Sequence, residues 1–257
     1  MLNESDLLGE GLNWENGKLV LGDPQYNKSA LIPVKLGRNT KSLSTTKRIP
    51  YYKAYQFNKR ADKSDITAAK YAIKKVDTSI ISMDVLQYMI NKSVLNFSQL
   101  VGGIDSYDLI LSPRSSGKLN VLLIKALHAK MHRDVPIYSD SLIKRAADNL
   151  VLDTELLANK FNDKSSQAFY RMINSATNER GEFKIRLVPP IFRKIVLQML
   201  KLDPSKEADI LQHVVGKRVL VVDDITTEGT TLYSAYNLLK SFGAKEVHGF
   251  IFLKSSF

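Results

Sequence analysis

The chain has 257 residues, 44% of them hydrophobic, enough for one generous core or a core plus a smaller elaboration. It contains no cysteine, which excludes disulfides, thiolate-held zinc and a thiol nucleophile, and which fits a reducing, cytoplasmic setting. A formal net charge of +11 points to anionic partners, either nucleic acid or polyphosphorylated small molecules, although lysine-rich solvated faces produce the same balance.

The first twelve residues carry Glu4, Asp6 and Glu10 and do not read as a secretory signal, and no apolar run is long enough to span a bilayer. Leu12 to Leu21 sets Asn16-Gly17 between two apolar segments, the sequence of a tight hairpin. Residues 30–36 and 51–57 are further strands. Between them, residues 37–48 are polar, basic and rich in Ser and Thr, and read as an exposed loop. The stretch from Lys35 to Arg48, with Lys41, Lys47 and Arg48, is the first candidate for nucleic-acid contact. Ser64 or Asp65 is placed to cap a helix running to Val76, and residues 83–100 have apolar side chains at helical spacing.

From residue 107 onward, short unbroken apolar runs alternate with helices, as in strands buried on both faces of a parallel sheet. The strands are 107–111, 135–138, 218–222 and 247–253, with a helix at 119–131. Residues 141–182 read as loop plus helix, 184–188 as a strand, and 191–200 as a helix after Pro189-Pro190. The expected fold is α/β: a doubly wound, mainly parallel sheet in residues 101–257, preceded by a β-rich and helical elaboration in residues 1–100. Ligands of such sheets bind outside the carboxyl ends of the strands.

The segment with most chemistry is Val219-Leu220-Val221-Val222-Asp223-Asp224-Ile225-Thr226-Thr227-Glu228-Gly229-Thr230-Thr231, followed by an apolar helix to Phe242 that stops at Gly243. Four apolar residues make a buried strand, and two carboxylates at its open end can accept hydrogen bonds from vicinal hydroxyls or sit beside a magnesium ion. Small hydroxyl residues around Gly229 let backbone amides converge on an anion at a helix N-terminus. A second strand, Asp108 to Leu111, runs into Ser112-Pro113-Arg114-Ser115-Ser116-Gly117-Lys118. This looks superficially like a P-loop, but Ser112 and Leu119 stand where that motif needs Gly and Ser or Thr.

Residues 219–231 resemble the phosphoribosyl pyrophosphate (PRPP) signature of type I phosphoribosyltransferases. The resemblance implies transfer of 5-phosphoribosyl from PRPP to a nitrogenous base or related nucleophile, with pyrophosphate released and Mg2+ required. It implies that Asp223 and Asp224 engage the ribose hydroxyls, with the metal beside them, and that Thr226 to Thr231 hold the 5-phosphate. Glu228 departs from the pattern, since the family has a small or hydroxyl residue there. Its carboxylate either faces solvent or weakens the phosphate site. By the same resemblance Arg114, Ser115, Ser116, Gly117 and Lys118 form the pyrophosphate loop, and Lys144-Arg145, within 139–148, lie in the mobile catalytic loop. The core also resembles ComF-like members, without their cysteine-based zinc element. Thr227 stands where hypoxanthine–guanine enzymes carry an acid, which makes a 6-oxopurine acceptor less expected. The variable hood that holds the acceptor is expected from the N-terminal hundred residues and residues 183–200. A homodimer stays open, as does a noncatalytic PRPP sensor or nucleic-acid binder on the same fold; nucleic acid is the less favoured partner, and no membrane partner is expected.

Overall fold

A computed structural model describes residues 11–22, 31–33, 39–42, 48–57, 62–178, 181–226 and 229–254. The first segment is a hairpin of β1 (Gly11–Glu15) and β2 (Lys18–Gly22). Asn16 and Gly17 form its turn at φ 51° and 76°, the left-handed pair whose twist matches that of the strands. There follow β3 (Leu31–Pro33), β4 (Asn39–Ser42), β5 (Arg48–Phe57), α1 (Lys63–Lys75) and α2 (Met83–Val101). Next come β6 (Leu109–Pro113), α3 (Leu119–His128), β7 (Ile137–Lys144), β8 (Val151–Leu152), α4 (Thr154–Lys160) and α5 (Asp163–Ser175). The last elements are α6 (Pro190–Arg193), β9 (Val196–Gln198), β10 (Leu200–Leu202), α7 (Glu207–Val214), β11 (Arg218–Thr226), α8 (Thr230–Ser241) and β12 (Glu246–Lys254).

Ten strands form one sheet in the order β10-β7-β6-β11-β12-β5-β3-β1-β2, with β4 also beside β5. All neighbours from β7 to β5 are parallel, whereas β10 joins β7 antiparallel and forms an edge. The expected α/β class with a mainly parallel sheet and extra N-terminal strands is therefore what the chain adopts. Side chains alternate across its central strands. Leu109, Leu111, Val219, Val221, Val247 and Ile251 pack with α4, α5, α7 and α8 on one face. Ile110, Leu220, Val222, Phe250 and Phe252 pack with α1, α2 and α3 on the other. At roughly 1.5–3 kcal/mol for each large side chain buried, these double-sided strands anchor the fold. The first hundred residues thus share the sheet through β5 and cover one of its faces with α1 and α2.

Four expectations need correcting. The α1 cap is Asp62, whose side chain accepts from Ser64 N, so the helix starts before the Ser64 or Asp65 read from the sequence. Within 37–48, Asn39–Ser42 is strand: its backbone pairs with β5, and its polar sequence suits an edge. Residues 34–38 and 43–47, with Lys47 among them, lie outside the described residues. The expected strand at 184–188 is a 3-10 turn over Ile185–Leu187. The expected helix at 191–200 stops at Arg193 and gives way to β9 and β10. There the α8 side chains hold extended backbone: Met199 N and Leu200 N donate to Ser234 Oγ, and Asn237 Nδ2 donates to Leu197 O. Among the described residues no helix is long and apolar enough to cross a membrane.

Candidate functional site

From β6 the chain crosses through α3 to β7 on one side, and from the adjacent β11 it crosses through α8 to β12 on the other. The carboxyl ends of β6 and β11 therefore flank the point where the winding reverses, which is where open α/β sheets place a ligand crevice. A cleft of about 570 Å3 opens there. Asp223 and Asp224 lie on its floor, only 7% and 2% exposed. By the alternation of β11, Asp224 continues the face of Leu220 and Val222 toward α1, and Asp223 continues that of Val219 and Val221.

The two carboxylates have different surroundings. Asp224 Oδ2 accepts from Ser115 Oγ at 2.6 Å and lies 3.4 Å from Lys74 Nζ, while its Oδ1 accepts from Ile225 N at 2.6 Å. Asp223 Oδ1 accepts from Asp224 N at 3.0 Å. Burial, and then the neighbouring Asp224 charge, push the Asp223 carboxyl up to about 8. Among the described residues no cluster of three or more His, Cys, Asp or Glu could hold a metal. Two hard carboxylates, however, fit a magnesium ion that takes its remaining ligands from water and substrate phosphates.

The loop after β6 is braced rather than loose. Ser115 N donates to Asp140 Oδ1, Asp140 N donates to Ser112 Oγ, and Gly117 N donates to Ser115 Oγ. Asp140 adopts φ 52°, a left-handed conformation that Asp tolerates. Gly117 is required by contact: a Cβ there would come 2.0 Å from the carbonyl oxygen of Lys74. Lys75 Nζ donates to Ser116 O, so the end of α1 is fastened to this loop at two points. The helix stops at Val76, which takes up φ 58°, a conformation that costs a β-branched residue roughly 1–2 kcal/mol and needs surrounding packing to hold it.

Of the residues singled out from sequence, Asp223, Asp224, Arg114, Ser115, Ser116, Lys144 and Thr231 line the cleft. Gly229 supplies the left-handed turn, φ 72°, that opens α8, and Thr230 is the first residue of that helix. Thr226, buried, ends β11. Thr227 and Glu228 lie outside the described residues. Gly117 sits behind the loop against α1, and Lys118 precedes α3 without lining the cleft. Arg114 reaches across to Asp203, Nη2 to Oδ2 at 2.6 Å.

The reading of 139–148 as a mobile loop is corrected. The strand β7 continues to Lys144, because β10 pairs with it at Leu200↔Lys144 and Leu202↔Leu142. Arg145 N donates to Met199 O, and its guanidinium donates to the carbonyls of Leu200 and Asn149. Lys144 faces the cleft, while the Arg145 side chain is engaged along the β10 edge. Sequence reasoning missed Lys74, Asn178 and Glu182, which line the cleft, and reached Lys184, which also lines it, only as part of the 183–200 hood. Lys74 is an ordinary lysine in an amphipathic helix, and Asn178 and Glu182 come from a segment with no motif, so nothing local marked them. The polar wall opposite the carboxylates thus comes from the segment after α5, where Asn178 Nδ2 donates to Glu182 Oε2 at 2.9 Å.

Residues 154–255 match the family model of the phosphoribosyl transferase domain. The matched span takes in the Asp223-Asp224 strand and the start of α8; β6, its braced loop and Lys74 lie outside it. Among solved structures, a purine phosphoribosyltransferase from Pyrococcus horikoshii Ot3 is similar at 12% identity, over 65% of this chain and 82% of that one, with a TM-score of 0.32. A hypoxanthine phosphoribosyltransferase from Staphylococcus aureus is similar at 13% identity, over 66% of this chain and 74% of that one, with a TM-score of 0.34. No curated protein matches the sequence.

Proposed function

We propose that the protein transfers the 5-phosphoribosyl group of PRPP to a nitrogen nucleophile, a base or a related acceptor, and releases pyrophosphate. The observation that carries this reading is the buried Asp223-Asp224 pair at the winding reversal, facing a cleft whose rim holds Lys74, Arg114, Lys144 and Lys184. Carboxylates at a strand end accept hydrogen bonds from vicinal ribose hydroxyls, and a ring of cations matches a substrate with phosphate at both ends. In this assignment Thr226 to Thr231 and the N-terminus of α8 hold the 5-phosphate. Arg114, Ser115 and Ser116, together with Lys144, face the pyrophosphate.

Reaction breaks the bond between C1 and the pyrophosphate oxygen and forms a bond from C1 to the acceptor nitrogen. Positive charge develops on the ribosyl ring and negative charge on the leaving group. Preoriented cations around the pyrophosphate, and carboxylates below the sugar, favour that separation. Mg2+, when bound with the substrate, neutralises part of the pyrophosphate charge. Asn178, Glu182 and Lys184 form the wall from which an acceptor would be held.

The test is pyrophosphate release from PRPP and Mg2+ in the presence of a panel of purine, pyrimidine and pyridine bases, run beside Asp223→Asn/Asp224→Asn. Release that depends on one acceptor and disappears in the variant is expected. PRPP binding without release across the panel would leave a donor-binding protein in place of a transferase, and absence of PRPP binding would overturn the site itself.

A further inference from the structure

The donor motif is completed by a residue that lies far from it in sequence and outside the matched domain span. Lys74 Nζ stands 3.4 Å from Asp224 Oδ2, and its side chain, 33% exposed, lines the cleft. Three further observations show that its backbone is held there. The Lys74 carbonyl packs where a Cβ of residue 117 would be. Lys75 Nζ is bonded to Ser116 O at 2.8 Å. The helix end is maintained in a left-handed conformation at Val76, which few valines adopt. Cations are also favoured in the last turn of a helix, where backbone carbonyls point outward.

We propose that Lys74 is a donor-site residue with two partners: it neutralises Asp224 while the cleft is empty, and swings to the pyrophosphate of PRPP when donor and Mg2+ enter together. The inference rests on the PRPP reading above. An ammonium group and a magnesium ion compete for one carboxylate oxygen, since both are cations seeking the same lone pairs. Entry of the metal therefore releases Lys74, and its long flexible stem leaves a phosphate oxygen as the partner in reach. A consequence follows for order of addition: Mg2+ without donor meets a site already holding a positive charge, whereas the Mg2+–PRPP pair brings the anion that takes the lysine away.

The experiment is calorimetric titration of the full chain and of Lys74→Met and Lys74→Arg with MgCl2 alone, then with PRPP at saturating Mg2+. For Lys74→Met we expect opposite changes. Affinity for Mg2+ alone rises roughly two- to fivefold, the worth of a partly exposed ion pair. Affinity for PRPP falls about 10- to 100-fold, the worth of a charged hydrogen bond. Lys74→Arg should recover most of the PRPP affinity. If both affinities are unchanged, or both fall together without recovery in Lys74→Arg, Lys74 is a packing residue and the proposal is overturned. Failure of the underlying reading looks different, because the unaltered chain would then show no PRPP affinity.

Discussion

The two ends of strand β11 carry charged residues of the same types in opposite circumstances. At its start, Arg218 Nε donates to Glu246 Oε2 at 3.0 Å, Nη1 donates to Ser106 O at 2.9 Å, and the guanidinium lies 5.4 Å from the centre of the Tyr107 ring. Asp108 there accepts from Arg218 N and Arg133, and that first hydrogen bond above all holds its carboxyl below the usual range. At the far end, Asp223 is buried beside another carboxylate and its carboxyl is pushed up to about 8. The first arrangement lowers the energy of the charges it contains; the second raises it. Strained electrostatics of the second kind persist where a ligand supplies the missing partner. Residues that hold the sheet together thus differ in kind from the carboxylate pair proposed to meet the donor.

The largest expected effect breaks the ligand end alone. Asp223→Asn with Asp224→Asn should reduce PRPP affinity by more than about 100-fold, since two charged acceptors are lost. Its melting temperature should not fall, because a buried like-charge pair is removed. Calorimetry and thermal unfolding on one sample check both halves; a folded variant with unchanged affinity would remove the site from this strand.

Arg218→Ala is the converse. Losing its hydrogen bonds and ring contact should destabilise the chain by about 1–2 kcal/mol in denaturant titration, with PRPP affinity retained. A loss of affinity at unchanged stability would erase the distinction between the two ends.

The pH dependence should have opposite signs at the two ends. Asp223 goes from an ordinary value of 3.8 in the unfolded chain to about 8 when folded, so between those values the native state binds the extra proton. Its contribution to stability accordingly declines as pH rises from about 4 to about 8, and Asp223→Asn should flatten that decline. Asp108, with its folded pKa lowered, contributes stability above its unfolded pKa that is lost as pH falls through the folded value. Denaturant midpoints measured from acid to mild alkali in the two Asn variants would resolve the slopes.

The smallest effect contrasts adjacent residues at the rim. Lys144→Ala should slow pyrophosphate release about tenfold with little change in PRPP affinity, as expected for a contact strongest when the leaving group departs. Arg145→Ala should leave the rate within about twofold, because its guanidinium is bonded to the Leu200 and Asn149 carbonyls and its loss is a local structural matter. Equal losses in both would return Arg145 to the reacting groups.

Much of this molecule is written locally. The Asn16-Gly17 hairpin, the doubly buried runs of β6, β11 and β12, the helix at 83–101 and the order of residues from Asp223 to Thr231 all depend on backbone preference and side-chain alternation within a few residues. Those forces act on contiguous sequence, and so the strands, the sheet class and the carboxylate pair are legible in the amino-acid order alone. What only tertiary structure decided depends on partners distant in the chain. Leu200–Leu202 became a strand because α8 side chains and the β7 edge satisfy its backbone, and that pairing is also what makes a strand of the segment leading to Lys144. Asn178, Glu182 and Lys184 reach the cleft because the segment after α5 folds back over it. Lys74 meets Asp224 only because α1 packs across the sheet and the missing side chain of Gly117 admits the Lys74 carbonyl. A lysine on an amphipathic helix has no local signal of what it will face; the packing that chooses its partner acts through space, between residues whose separation along the chain carries no information about contact.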